Sequence, residues 1–192
     1  MELDNYVQEA LVTESKISKV KADPELLLQS LAVFSAAGSL LDMIKKNVFY
    51  GKPIDPVKWD DALYTLHGGA VGLRVTTHGT AAYIQDIETN PRLFHAIVGI
   101  ATESAELIDA LYQQIDEDKP HLDTVNIQEE LGDLAWYQAI AVDEMGASWG
   151  TILDTNIKKL RARNKGNSFN AEATINRDVE AERKILEGGA SQ

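Results

Sequence analysis

The stretches HAIVGIATESAELIDAL (His95 to Leu111) and NIQEELGDLAWYQAIAVDEMG (Asn126 to Gly146) decide how this chain is read. In each, apolar residues recur at three- and four-residue steps, the period of an amphipathic helix. Each also carries two acids three residues apart: Glu103 and Glu106 in ESAE, Glu130 and Asp133 in ELGD. At about 100° per residue, such a pair sits roughly 60° apart on the helix surface, so each helix offers two carboxylates on one flank. Between them, Pro120 and a polar run from Gln113 to Asn126 let the second helix fold back antiparallel and bring both pairs to one place. Four carboxylates in a partly buried site cannot all stay ionised without a counter-charge. A hard divalent cation suits an all-oxygen cage, Mg²⁺ above all, with Mn²⁺ as a substitute.

An acidic helix flank taken alone is ordinary solvated surface; the neighbours of these acids narrow the reading. Gly99 and Ala110 share the flank of Glu103 and Glu106 and suit close approach of another helix, while Thr102, Asp109 and Gln113 make a wetter side. Tyr137 follows Asp133 by four residues and Glu130 by seven, and so lies on their side of the helix. The four histidines are scattered, with no HxxxH or ExxH pair near the acids, which speaks against zinc or a di-iron site. Trp59, Trp136 and Trp149 read as core. There is no Walker-type loop and no Ser-His-Asp arrangement, and Gly68-Gly69 inside a helical pattern marks close helix contact.

Nearly all of the chain reads as helix. Asp23-Pro24, Asp55-Pro56, Asn90-Pro91 and Ser148 are capping side chains set before helical patterns, three of them with Pro at the first helical position. Gly51, Gly79, Gly146 and Gly166 are the stops. Helices are expected at 4–19, 24–48, 56–77, 81–88, 91–115, 125–145, 148–163 and 171–187, with no alternating strand pattern. The β-branched cluster Leu73 to Thr77 continues a helix. The fold class is all-α, an antiparallel helix bundle with the acids lining an inter-helix cleft.

Laid on itself, the chain repeats. Leu40 to Asp42 match Leu107 to Asp109, Lys52-Pro53 match Lys119-Pro120, and Gly79 matches Gly146, all at an offset of 67, with a slip to 68 near Val57 and Val125. Two copies of one helical unit are therefore expected, a first repeat over 1–80 and a second over 81–192, packed as a pseudo-dimer. The first copy has Ala36 and Ser39 where the second has Glu103 and Glu106, and no carboxylate opposite Glu130 or Asp133. Only the second half should be chemically competent. The first copy keeps the basic, aromatic loop KKNVFYGKP (Lys45 to Pro53), whose Lys45, Lys46 and Lys52 either serve the site or are solvated loop residues.

The acidic runs, together with NIKKLRARNKGNSF (Asn156 to Phe169), resemble the MazG-like all-α nucleoside triphosphate pyrophosphohydrolases, whose pattern is EExxE followed by ExxD. The resemblance covers most of residues 83–187, and the tail NRDVEAER (Asn176 to Arg183) is similar to phage-type members. One departure stands: the first Glu of EExxE is Thr102. The resemblance implies that Glu103, Glu106, Glu130 and Asp133 bind Mg²⁺; Glu103 is in addition the residue expected to orient the attacking water. Asn156, Lys159 and Arg163 lie at i, i+3 and i+7, one stripe of a helix. They match the family's NxxKLxxR, which implies that the basic residues meet the triphosphate, whereas Lys and Arg in a last turn also answer the helix dipole without any ligand. Tyr137 is the expected neighbour of the substrate.

The activity expected is Mg²⁺-dependent hydrolysis of a (deoxy)nucleoside triphosphate to monophosphate and pyrophosphate. Two rivals stand beside it: a dUTPase-like member of the same superfamily, and a non-catalytic nucleotide-binding module. The net charge of −12 argues against a nucleic-acid partner. No uninterrupted apolar run reaches about 18 residues, so no membrane span is expected. No Cys and an acidic start, MELDNY, fit the cytoplasm, the host's if the chain is phage-encoded. The duplicated chain leaves room for further pairing into a homo-oligomer.

Overall fold

The computed structural model describes residues 2–79, 84–116, 121–165 and 168–189. The described residues hold eight helices: α1 (Leu3–Leu11), α2 (Pro24–Tyr50), α3 (Pro56–Gly79), α4 (Pro91–Asp116), α5 (Thr124–Glu144), α6 (Trp149–Asn164), α7 (Ala171–Ile175) and α8 (Val179–Gly189). The all-α fold class expected from the sequence is the one observed. Their starts follow the capping chemistry. Asp23 Oδ1 accepts from the Glu25 and Leu26 amides, Asp55 Oδ1 from Val57 and Lys58, Asn90 Oδ1 from Arg92 and Leu93, and Ser148 Oγ from Thr151. Gly51 (φ +66°) and Gly146 (φ +60°) take the left-handed conformation that ends α2 and α5. α3 runs through Leu73–Thr77 to Gly79, as expected. The expected stop at Gly166 and the loop residues Lys119 and Pro120 lie outside the described residues.

Three expectations are corrected. The helix expected over 4–19 ends at Leu11, where the Thr13 hydroxyl bonds back to the Ala10 carbonyl; no glycine marks this stop. Of the helix expected over 81–88, residues 81–83 lie outside the described residues, and Gln85–Ile87 form a strand, β2, which pairs with β1 (Val20–Ala22). Three-residue strands are too short to show a period-two pattern. The helix expected over 171–187 is broken into α7 and α8: Asn176 leaves the helical region, and Asp178 Oδ1 caps a new start by accepting from the Ala181 amide.

The chain forms two compact units, one of residues 1–20 and 88–156, the other of 21–87 and 157–192. In the first, α4 and α5 are an antiparallel hairpin: Arg92 meets Asp143 and Glu144, His95 meets Trp136 and Tyr137, and Glu106 meets Glu130, so contacts recede along α5 as they advance along α4. α1 packs on α5 through a core of Val7, Ala10 and Ala139, with Tyr6, Leu11, Trp136 and Trp149 against it. Trp136 Nε1 donates to the Ala10 carbonyl (3.0 Å) and the Thr13 hydroxyl (2.9 Å), which fixes the indole as a structural residue. Arg92 ties the open end of the hairpin, giving Nε and Nη2 to Glu14 at 2.7 Å each and Nη1 to Asp143 and Glu144 at 2.8 Å. These acids, Glu14 foremost, raise the pKa of the Arg92 guanidinium.

In the second unit, α2 and α3 form the other antiparallel hairpin. A Cβ on Gly69 would lie 2.6 Å from Val33 Cγ2, and one on Gly72 would lie 2.6 Å from the Gln29 side chain; of the expected pair Gly68-Gly69 only Gly69 marks close helix contact, since a Cβ on Gly68 would meet nothing within 4 Å. α2 is long and apolar enough to cross a membrane by length and composition. The run-length expectation did not register this because Gln29, Ser30, Ser35 and Ser39 interrupt the apolar run.

Glu182 in α8 is 5% exposed and shared by two guanidiniums: Arg163 Nε and Nη2 at 2.7 and 2.9 Å, and Arg177. Hydrogen bonds from Arg163 and then Arg177 hold its pKa down at about 2. A depressed carboxylate stabilises the fold above its unfolded pKa and loses that contribution as pH falls through the folded value. Glu182→Gln is therefore expected to lower stability near pH 7 by on the order of 2–3 kcal/mol, discounted for the exposed Arg177. Wild type and variant should converge in urea melts as pH falls from about 4.5 towards 2. An equal gap across that window would refute the coupling.

Candidate metal centre

Glu103 and Glu106 stand one helical turn apart on α4, and Glu130 faces them from α5. Carboxylate oxygens of these three lie within 4.8 Å of one another. Two features of the sequence let the helices come this close. Gly99 leaves room one turn before Glu103: a methyl group there would overlap the Tyr137 ring carbons. Asp123 starts α5, its Oδ1 accepting from the Val125 and Asn126 amides, and so sets the register that places Glu130 inward.

Burial and charge act on this cluster together. Glu130 is buried, at 6% exposure, while Glu103 is half-buried and Glu106 exposed. The Glu130 carboxyl is pushed above its ordinary pKa, first by burial, then by the Glu106 charge and by Glu103. Asn126 Nδ2 donates to Glu130 Oε1 at 3.0 Å and orients it. Among the described residues no Lys, Arg or His forms an ion pair with Glu103, Glu106 or Glu130. A set of carboxylate oxygens, one of them buried, without a protein cation, fits a hard divalent ion and not a soft one.

Asp133 is exposed and outside the 4.8 Å cluster, yet its charge reaches the same neighbourhood. The Tyr137 hydroxyl has its pKa raised by burial, then by Glu103, Asp133 and Glu106. Tyr6, whose hydroxyl donates to the Gly132 carbonyl, is raised by burial and then by Asp133. Tyr137 thus sits beside the acids on α5, as expected from the sequence. The wet side of α4 is also as expected, with Thr102, Asp109 and Gln113 exposed and Gln113 donating to Asp109 at 2.6 Å.

Asn156, the last residue of the first unit, is half-buried. Lys159 and Arg163 belong to the second unit, where Lys159 is half-buried and Arg163 is engaged by Glu182. The reading of the basic stripe as polyphosphate ligands did not foresee this internal partner, because Glu182 is 19 residues further along the chain.

Two groups near the acids were missed. Asn126 could have been found from its i, i+4 spacing to Glu130. A cavity of about 230 Å³ beside Tyr137 is lined by Phe94, His95, Val98, Gly99 and Thr102. His95 meets the rings of Trp136 and Tyr137 edge-on, at 5.8 and 5.4 Å between centroids. Thr102, which replaces the family's first Glu, joins this cavity to the acids: its hydroxyl donates to the Gly99 carbonyl (2.9 Å) and lies 3.4 Å from Glu103 Oε1. No local sequence pattern announces a cavity assembled across two helices.

No curated protein and no solved structure matches the chain. Residues 95–167 match the family described as the MazG nucleotide pyrophosphohydrolase domain. The matched stretch opens at His95, takes in all four acids with Asn126 and Tyr137, and extends past Arg163. Over this stretch, which is less than half of the chain, the protein is similar to the MazG nucleotide pyrophosphohydrolase domain.

Proposed function

We propose that the protein hydrolyses (deoxy)nucleoside triphosphates between the α and β phosphates, releasing monophosphate and pyrophosphate in a Mg²⁺-dependent reaction. The observation that carries this reading is the cluster of Glu103, Glu106 and Glu130 inside the MazG match, with no cation among the described residues paired to it. Glu106, Glu130, Asp133 and Glu103 would hold the ion. When bound, Mg²⁺ supplies positive charge at the phosphate oxygens and lowers the pKa of a coordinated water.

The chain's own residues do the rest. Glu103 orients the attacking water and accepts its proton, the role best served by the half-buried member of the cluster. Asn126 holds Glu130 in place through its amide. Tyr137 closes one side of the site and offers its hydroxyl to the substrate. On the sequence pattern alone, Asn156, Lys159 and Arg163 are assigned to the polyphosphate, where cations stabilise charge gathering on the leaving pyrophosphate.

The test is incubation with a panel of canonical and modified nucleotides plus Mg²⁺, with chromatographic separation of products. Monophosphate and pyrophosphate in equal amounts, abolished by EDTA, are expected. Preference for dUTP over the other triphosphates would assign the dUTPase-like activity. Binding without turnover across the panel would refute the hydrolase reading.

A further inference from the structure

The α2–α3 hairpin encloses a cleft of about 670 Å³, within the roughly 300–1,000 Å³ of small-molecule sites. It lies where the other hairpin carries its acids. The two hairpins align through their caps: Asp55 and Asp123 each start the second helix and each accept from the amides two and three residues on. From this cap the offset along the second helix is 68, and along the first it is 67, as from Leu40 to Leu107.

Carried across in that register, Glu103 and Glu106 become Ala36 and Ser39, Glu130 becomes Ala62, and Asp133 becomes Thr65. All four replacements line the cleft. Asn126, which donates to Glu130, becomes Lys58, a further lining residue. Four carboxylates and an amide are thus exchanged for small neutral side chains and an ammonium. The exchange empties volume at the floor and removes its cluster of negative charge.

The charged lining residues balance in number, Asp42, Asp55 and Asp61 against Lys46, Lys52 and Lys58, but two of the acids are already engaged. Asp42 is neutralised twice, by Lys45 at 2.8 Å and by Lys46. Asp55 spends Oδ1 on its cap and meets Lys58 at 3.8 Å through the other oxygen. Asp61 matches Glu129 of the other hairpin, an acid outside the cluster there, and both are exposed. Lys52 is half-buried in the lining and forms no ion pair among the described residues. A partly desolvated ammonium without a counter-ion favours an anion beside it. The Ser39 and Thr65 hydroxyls donate to the Ser35 and Asp61 carbonyls and leave the floor small and neutral, while flexible ammonium groups suit phosphate oxygens.

We infer that the α2–α3 cleft is a metal-independent binding site for a phosphate-bearing anion, held by Lys52 and Lys58 over a floor of Ser39, Ala62 and Thr65. The chemistry is that of a pyrophosphate group, whether free or at the end of a nucleotide. The inference rests on the charge and volume of this hairpin and stands whether or not the other hairpin hydrolyses nucleotides.

The test is calorimetry in EDTA with pyrophosphate in one arm and dATP in the other, using the full chain. Saturable binding is expected, unchanged in Glu106→Ala and weakened at least tenfold in Lys52→Ala/Lys58→Ala. Ser39→Glu, which restores an acid at the floor on an exposed position, should abolish it. Thermal melts check that each variant is folded. Tighter binding of pyrophosphate than of dATP identifies the free anion as the ligand, and the reverse identifies the nucleotide. No binding in EDTA, binding indifferent to both lysines, or binding lost in Glu106→Ala would overturn the inference.

Discussion

Glu106→Ala is expected to abolish nucleotide hydrolysis while leaving the helices intact, and Asp133→Ala to do the same. Both side chains are exposed, so neither truncation opens a core cavity, and any loss of rate reports on the site. Retention of more than about a tenth of the wild-type rate, a cost under roughly 1.4 kcal/mol in the barrier, would argue against the assignment. A second readout separates metal binding from chemistry. Glu130 has a raised pKa in the folded chain, so the native state binds more protons than the unfolded one and loses stability as pH rises through the folded value. At neutral pH the metal-free cluster is therefore a source of repulsion. Removing Glu106, the largest charge acting on Glu130, should leave the melting temperature in EDTA unchanged or higher. Added Mg²⁺ should raise the wild-type melting temperature at neutral pH and have little effect on Glu106→Ala. Equal Mg²⁺ stabilisation of both proteins would mean that the ion binds elsewhere.

Gly99→Ala is expected to destabilise the protein and impair the site together. In a helix interior the change would ordinarily gain about 1 kcal/mol of helix propensity. Here the added methyl overlaps the Tyr137 ring, and overpacking of this kind costs about 1–3 kcal/mol or more. The ring can yield only by pushing on His95 and Trp136, which it meets at 5.4 and 4.9 Å, or by forcing α4 away from α5. Separating the helices pulls Glu103 and Glu106 from Glu130. Urea denaturation should show a loss of about 2 kcal/mol or more, with weaker Mg²⁺ stabilisation. Combining Gly99→Ala with Tyr137→Ala should recover part of the stability lost by Gly99→Ala, because the colliding ring is gone. Simple additivity of the two changes would show that the contact is not what makes Gly99 necessary.

Much of this was legible in the residues alone. Asp-Pro and Asn-Pro steps and glycine stops placed most helix ends, since caps act through amides two and three residues away and so leave a local signature. The i, i+3 spacing of Glu103 with Glu106 and of Glu130 with Asp133 put each pair on one flank, because helix geometry converts spacing directly into direction. The end of α1 at Leu11 and the break at Asn176–Asp178 were not legible: no glycine or proline marks them, and the competing bonds come from Thr13 and Asp178 side chains.

What the sequence by itself determined is the helical class and the identity of the acidic residues. These follow from local periodicity, capping and residue chemistry. Only the tertiary structure decided which acids converge within 4.8 Å, that Glu130 is the buried one, and that Glu182 holds Arg163. It also decided that the α2–α3 hairpin holds an open cleft of about 670 Å³. Burial, desolvation and pairing at long separation depend on which helices pack together, and no stretch of the chain carries that information alone.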